Sequence, residues 1–152
     1  MRIVQSTRPL SRLARTAIVL DVFLAIGALA GGLALMLGPR GEIIALKVAQ
    51  LSGSPFDTYF VPGLILFGVL GLGPLGPAAL AWAHHSLAPI ATFIVGLALL
   101  SWLAVEIAIV GYTNDPPLQP FYLIVGAVIA LVGLGWMVET VPAELPHGAV
   151  PR

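Results

Sequence analysis

The sequence predicts an all-α membrane protein, with four transmembrane helices in an antiparallel bundle and a short interfacial helix between the first and the second. Three observations carry that expectation. Of the 152 residues, 59% are hydrophobic and only 9% charged, with a mean hydropathy of +1.01, whereas roughly a quarter of a soluble domain is charged. Apolar stretches recur at 17–37, 60–82, 90–111 and 120–138, each close to or above the ~20 residues that cross about 30 Å of hydrocarbon. Turn-forming residues separate them: Gly38-Pro39, then Trp82-Ala83-His84-His85-Ser86, then Gly111 through Pro117.

Residues 1–16 are polar and cationic, with Arg2, Arg8, Arg12 and Arg15, and form the expected N-terminal tail. Four spans put both termini on one side. Those four arginines and Arg152 then face Arg40 and Lys47 across the membrane, so the excess of cations places both termini in the cytoplasm of a multi-pass inner (plasma) membrane protein. The first span is longer than the ~7–15 residue apolar core of a signal peptide, so it is read as a retained helix. It carries Asp21 about one turn inside its cytoplasmic end, and Gly27-Ala28-Leu29-Ala30-Gly31 forms a small-xxx-small pattern that permits close helix approach.

Residues 42–51 mix Ile43, Ile44, Leu46, Val48 and Leu51 with Glu42, Lys47 and Gln50, which fits a short amphipathic helix lying on the surface. An ordinary loop is the other reading. The second span contains Gly71, Gly73, Pro74, Gly76 and Pro77. Proline removes a backbone donor and clashes with the preceding turn, so residues 72–77 should kink or locally unwind. A broken helix lining a cavity is the sharper alternative. The third span is apolar except for Thr92, Ser101 and Glu106, the fourth opens after Leu118-Gln119-Pro120, and residues 139–152 form a proline-rich flexible tail.

Composition removes several function classes. Seven Lys and Arg against seven Asp and Glu leave no net charge, and no basic field points to nucleic acid. The absence of cysteine excludes disulfides, thiolate metal sites and Cys-x-x-Cys redox chemistry. Adjacent His84 and His85 point to different faces of a helix and no His-x-x-x-His occurs, so no metal or cofactor is expected. There is no Ser-His-Asp spacing, Gly-rich phosphate loop or pair of helical carboxylates, and the chain is read as a non-enzyme.

The polar residues left inside apolar surroundings are the candidate sites. Glu106 lies in the third span, where an ionised side chain costs on the order of a few kcal/mol and demands a partner. Tyr59, Ser54, Asp57, Gln119 and Tyr122 come to the same end of the bundle, and Trp102 stands one turn from Glu106 on one face. The expectation is a polar cluster at the outer face, with Glu106 paired to Tyr59 or to the amides of residues 54–57. Glu106 is open to two readings, a titrating or ligand-binding carboxylate and a structural tie. Asp21, His84 and His85 share the cytoplasmic end and could form a pH-sensitive pair, or Asp21 could simply complement the positive end of the first helix.

Three pieces of the chain together resemble a family of small four-helix bacterial integral membrane proteins: Ser54-Pro55-Phe56-x-x-Tyr59-x-x-Pro62-Gly63-Leu64-Ile65-Leu66, Trp102-x-x-x-Glu106, and Leu118-Gln119-Pro120-x-Tyr122. The resemblance implies a topology and no activity. The expected function is a structural, accessory or partner-binding bundle in contact with lipid and with another membrane protein or a second copy of itself. A small transporter or channel subunit using Glu106 is the alternative, and a membrane enzyme acting on lipid a further one.

Overall fold

Serine 11 sets where the first helix starts. Its hydroxyl accepts the Ala14 N–H at 3.1 Å, satisfying one of the donors that a helix N-terminus leaves open. The structure is a computed structural model that describes residues 9–112 and 117–140; Arg2, Arg8, residues 113–116 and residues 141–152 lie outside the described residues. Helix α1 spans Arg12–Leu37, 26 residues, about 39 Å at 1.5 Å per residue. It therefore begins more than a turn earlier than the apolar run, carrying Arg12 and Arg15 as exposed side chains of its first turns.

Helix α2, Phe60–Trp82, follows a long connection and is not uniform. Phe60–Ile65 is α-helical, Leu66–Leu72 is a π-helix and Leu75–Trp82 is α-helical again. The widened turn lies just before Pro74, and the Gly73 N–H donates to Gly68 O at 3.2 Å, five residues back. The disruption read from Pro74 and Pro77 thus reaches a full turn and more upstream of the prolines, because the ladder opens before the residue that lacks its donor.

Helix α3 is Ala88–Val110 and helix α4 is Leu118–Thr140. Each takes a proline, Pro89 and Pro120, into its first turn, where no N–H is required. α3 ends at Gly111, whose φ of +87° is ordinary only for glycine. Hence four helices are long and apolar enough to cross a membrane, and among the described residues there is no strand.

The helices pack as two hairpins, α1 with α2 and α3 with α4, and the hairpins join through α1 against α4 and α2 against α3. Small residues fix both hairpins. A Cβ on Gly96 would lie 2.5 Å from Ala130 N and one on Gly133 2.5 Å from Phe93 N, so these backbones meet with no room for a side chain. In the other pair, a Cβ on Gly32 would lie 2.7 Å from Gly63 O and from Phe67 N. The buried residues of α1 are Ala14, Ala17, Asp21, Leu24, Ala25, Ala28, Gly32 and Leu35, a seam of steps of three and four, widened at the adjacent Leu24 and Ala25, that faces the other helices. Leu24, Leu70, Leu99, Leu103 and Ile129 fill the middle of the bundle. Ala14, Ala17, Ala81, Ala88 and Trp136 close the end that carries the N-terminus.

The connection between α1 and α2 contains one short helix, the four-residue 3-10 turn Val48–Leu51, preceded by turns rather than by a helix over the whole 42–51 stretch. Gly41 and Ala45 adopt positive φ there, which interrupts any longer helix. Leu51 and Tyr59 bury against Leu35, with Ile109 of α3 packed beside them.

Candidate functional site

The end of the bundle opposite the N-terminus gathers two separate polar groups. In the first, the Tyr59 hydroxyl donates to Lys47 O at 2.9 Å and reaches Gln50 Oε1 at 3.4 Å, while Gln50 Oε1 also accepts the Lys47 N–H at 3.1 Å. The Tyr59 N–H donates to Pro39 O at 2.8 Å, tying the start of α2 to the end of α1. At 4% exposure Tyr59 is the anchor on which the 38–59 connection folds. Arg40 N–H donates to Glu42 Oε2, and the Ser54 hydroxyl accepts the Phe56 N–H, so the loop is held by local bonds along its length.

The second group joins α3 to α4. Gln119 Nε2 donates to Glu106 Oε1 at 3.1 Å and to Gly111 O at 3.1 Å. One buried amide thus holds both the carboxylate of α3 and a backbone carbonyl just past its end. The expected cluster is therefore distributed: the structure brings Glu106 to Gln119, while Tyr59 turns to Lys47 and Gln50. Trp102 and Tyr122 pack on the edge of the central core, and a Cβ on Gly27 would touch the Tyr122 hydroxyl, which shows that this ring reaches α1. Ser54 and the exposed Asp57 line a shallow, open depression of about 250 Å³ with Val48, Leu51 and Phe56.

Nearer the N-terminal end, the structure partners Asp21 and the two histidines differently from the expected pair. Because α1 starts at Arg12, Asp21 lies more than two turns inside it. It is 0% exposed and accepts the Thr92 hydroxyl on Oδ2 at 3.1 Å. His84 and His85 are both exposed and close α2. The His84 N–H donates to Ala81 O and the His85 N–H to Leu80 O, with His84 at φ +53°, the pair of bonds that ends a helix through a left-handed residue. His85 Nδ1 accepts the Leu87 N–H at 3.2 Å and so starts the return into α3.

Gln119 stands in the expected outer-face cluster, whereas Thr92 is a partner outside the candidate residues, and its position along α3 is the signal for it. Thr92 falls in register with Pro89, Val95, Gly96 and Leu99, the buried seam of α3. Asp21 likewise falls in register with Ala14, Ala17, Leu24 and Ala28. Among the described residues no group of three His, Cys, Asp or Glu side chains is placed to hold a metal ion.

The fold defines an all-helical bundle with the span lengths and apolar surface of a multi-pass membrane protein. Comparison with family models, curated proteins and solved structures finds no match to this chain.

Proposed function

We propose that the protein is an accessory bundle of the inner (plasma) membrane that presents the 38–59 connection as a preformed docking surface for another membrane protein. Both termini are cytoplasmic in this reading, supported by the four arginines of residues 1–16 together with Arg152 against Arg40 and Lys47 in the sequence. The observation that carries it is the Tyr59 anchor. A loop pinned by Tyr59 to Pro39, Lys47 and Gln50 is ordered before any partner arrives, which lowers the entropy lost on binding. Ile43 and Ile44 stand exposed on it at 56% and 42%, so the surface offers apolar contacts beside charged Lys47 and Glu42.

Glu106 acts in this reading as a tie between α3 and α4 through Gln119. The test is purification of the full chain in mild detergent with and without Ile43→Ser and Ile44→Ser. A membrane-protein partner retained by the wild type and lost from the variant supports the proposal, and identical sets refute it. The second reading, a small transporter or channel subunit, is favoured by the π-helical segment Leu66–Leu72, since such widened turns recur at functional sites. Proton- or ion-driven flux in liposomes that is lost in Glu106→Gln would replace the accessory reading with that one.

A further inference from the structure

The interior of the bundle holds one polar feature that neither hairpin packing nor the 38–59 connection uses. Asp21 Oδ1 is the single buried side-chain oxygen or nitrogen without a hydrogen-bond partner among the described residues, while Oδ2 of the same group accepts the Thr92 hydroxyl. The two oxygens of one carboxyl group are therefore inequivalent. An ionised carboxylate in hydrocarbon with an unsatisfied oxygen is strongly disfavoured, and such groups persist where a cation neutralises them.

Among the described residues no protein cation is placed to do so. The register set by Leu29 against Gly71 and Gly32 against Phe67 brings Asp21 level with Leu75–Trp82 of α2, which contains no titratable residue. α3 contributes Thr92 and has no titratable residue before Glu106, near its far end. α4 contributes its buried residues from Val125 to Gly133; its titratable residues are Tyr122, whose hydroxyl lies toward Gly27 on the far side of Asp21, and Glu139 in the last turn, and neither is a cation. On α1 itself Arg12 and Arg15 are exposed, and the buried Ala17 lies between them and Asp21; His84 and His85 are exposed on the hairpin. A metal cation of the hard, oxygen-seeking kind takes about six or more ligands, whereas the side-chain oxygens here are those of Asp21 and Thr92. A proton needs one.

We propose that Asp21 and Thr92 form a proton-binding site inside the bundle, at which Oδ1 takes up and releases a proton exchanged with the end that carries the N-terminus. With the proton on Oδ1, Oδ2 is the carbonyl oxygen that accepts the Thr92 hydroxyl, which accounts for the inequivalence. The direction follows from the packing. Toward the far end lie the large side chains Leu24, Leu70, Leu99 and Ile129. Toward the near end the fully buried side chains are the single carbons of Ala14, Ala17, Ala81 and Ala88 and the Trp136 ring, with the partly buried Leu10, Leu13, Ile18, Leu80 and Val132 packed against them. This site is separate from the loop surface proposed above and does not depend on it.

Infrared difference spectroscopy of the full chain in liposomes tests the proposal. The wild type should show a carboxylic-acid C=O stretch at neutral pH that is missing from Asp21→Asn, and alkaline buffer should convert it to carboxylate bands. Thr92→Val keeps the shape but removes the donor, so the acid band should persist and move to higher frequency. Trp136→Ala should speed the deuterium shift of that band severalfold. A wild-type minus Asp21→Asn spectrum with carboxylate bands alone, insensitive to pH, would overturn the site. Loss of the acid band on adding sodium ions at fixed pH would also overturn it, by making the bound cation a metal. An unshifted band in Thr92→Val, or an unchanged exchange rate in Trp136→Ala, would overturn the geometry and the route respectively.

Discussion

Truncating Glu106 and Gln119, singly and together, isolates the bond between α3 and α4. Gln119→Ala removes a buried amide that serves two acceptors, Glu106 Oε1 and Gly111 O, each at 3.1 Å. Glu106→Ala removes one of those acceptors only. Hydrogen bonds between helices in lipid average about 0.6 kcal/mol by double-mutant cycle and reach about 1.7 kcal/mol. Glu106 is only partly buried, so the expected coupling energy is about 0.5–1 kcal/mol. The Gln119→Ala change should cost more than the coupling, about 1–3 kcal/mol, because it also leaves the Gly111 carbonyl without this donor. The assay is reversible denaturation in mixed micelles, comparing wild type, both single variants and the double variant. A coupling energy within error of zero, with the two single effects adding, would show that the Glu106–Gln119 bond contributes nothing and would refute the tie.

Three further outcomes follow from other contacts. Gly133→Leu drives a side chain into the Phe93 backbone, so it should destabilise by about 1–3 kcal/mol or more, as overpacking does, and lower the unfolding midpoint in the same micelle assay. Tyr59→Phe deletes the hydroxyl bond to Lys47 O; a loss of about 1 kcal/mol and faster amide exchange confined to residues 40–58 are expected. His84→Gly relieves a non-glycine residue at φ +53°. It should stabilise the α2–α3 hairpin by about 1 kcal/mol, read as a raised unfolding midpoint, and a lowered midpoint would mean that the His84 ring makes a stabilising contact.

Much of this was legible along the chain because a membrane imposes length and polarity one segment at a time. The turn at Trp82 to Ser86 and the Gly111 stop are local chemistry, and each stands where the residues indicate, while α3 and α4 start two residues ahead of the apolar runs and take Pro89 and Pro120 into their first turns. The earlier start of α1 was also legible, through Ser11 three residues before Ala14, but the apolar run begins later and masked it. The π-helix was half legible: Pro74 announces a break, while the reach of the widened turns back to Leu66 has no signal of its own among residues 66–72.

Partners between distant residues are another matter. Asp21 and Thr92 are 71 positions apart, and His85 is separated from Asp21 by almost as many, so sequence distance does not choose between them. Counting from the start of the apolar run placed Asp21 about one turn inside the first span, whereas the helix begins at Arg12 and its seam turns Asp21 inward. Tyr59 and Glu106 share one end of the bundle, yet their side chains serve different neighbours. Composition and hydropathy by themselves determined the class of fold, the number of spans and the turns, since burying a backbone in lipid leaves few alternatives. Which polar groups meet was decided only by the rotation and register of one helix on another, set by the close approaches at Gly32, Gly96 and Gly133, because a rotation of a fraction of a turn changes a partner while leaving every span intact.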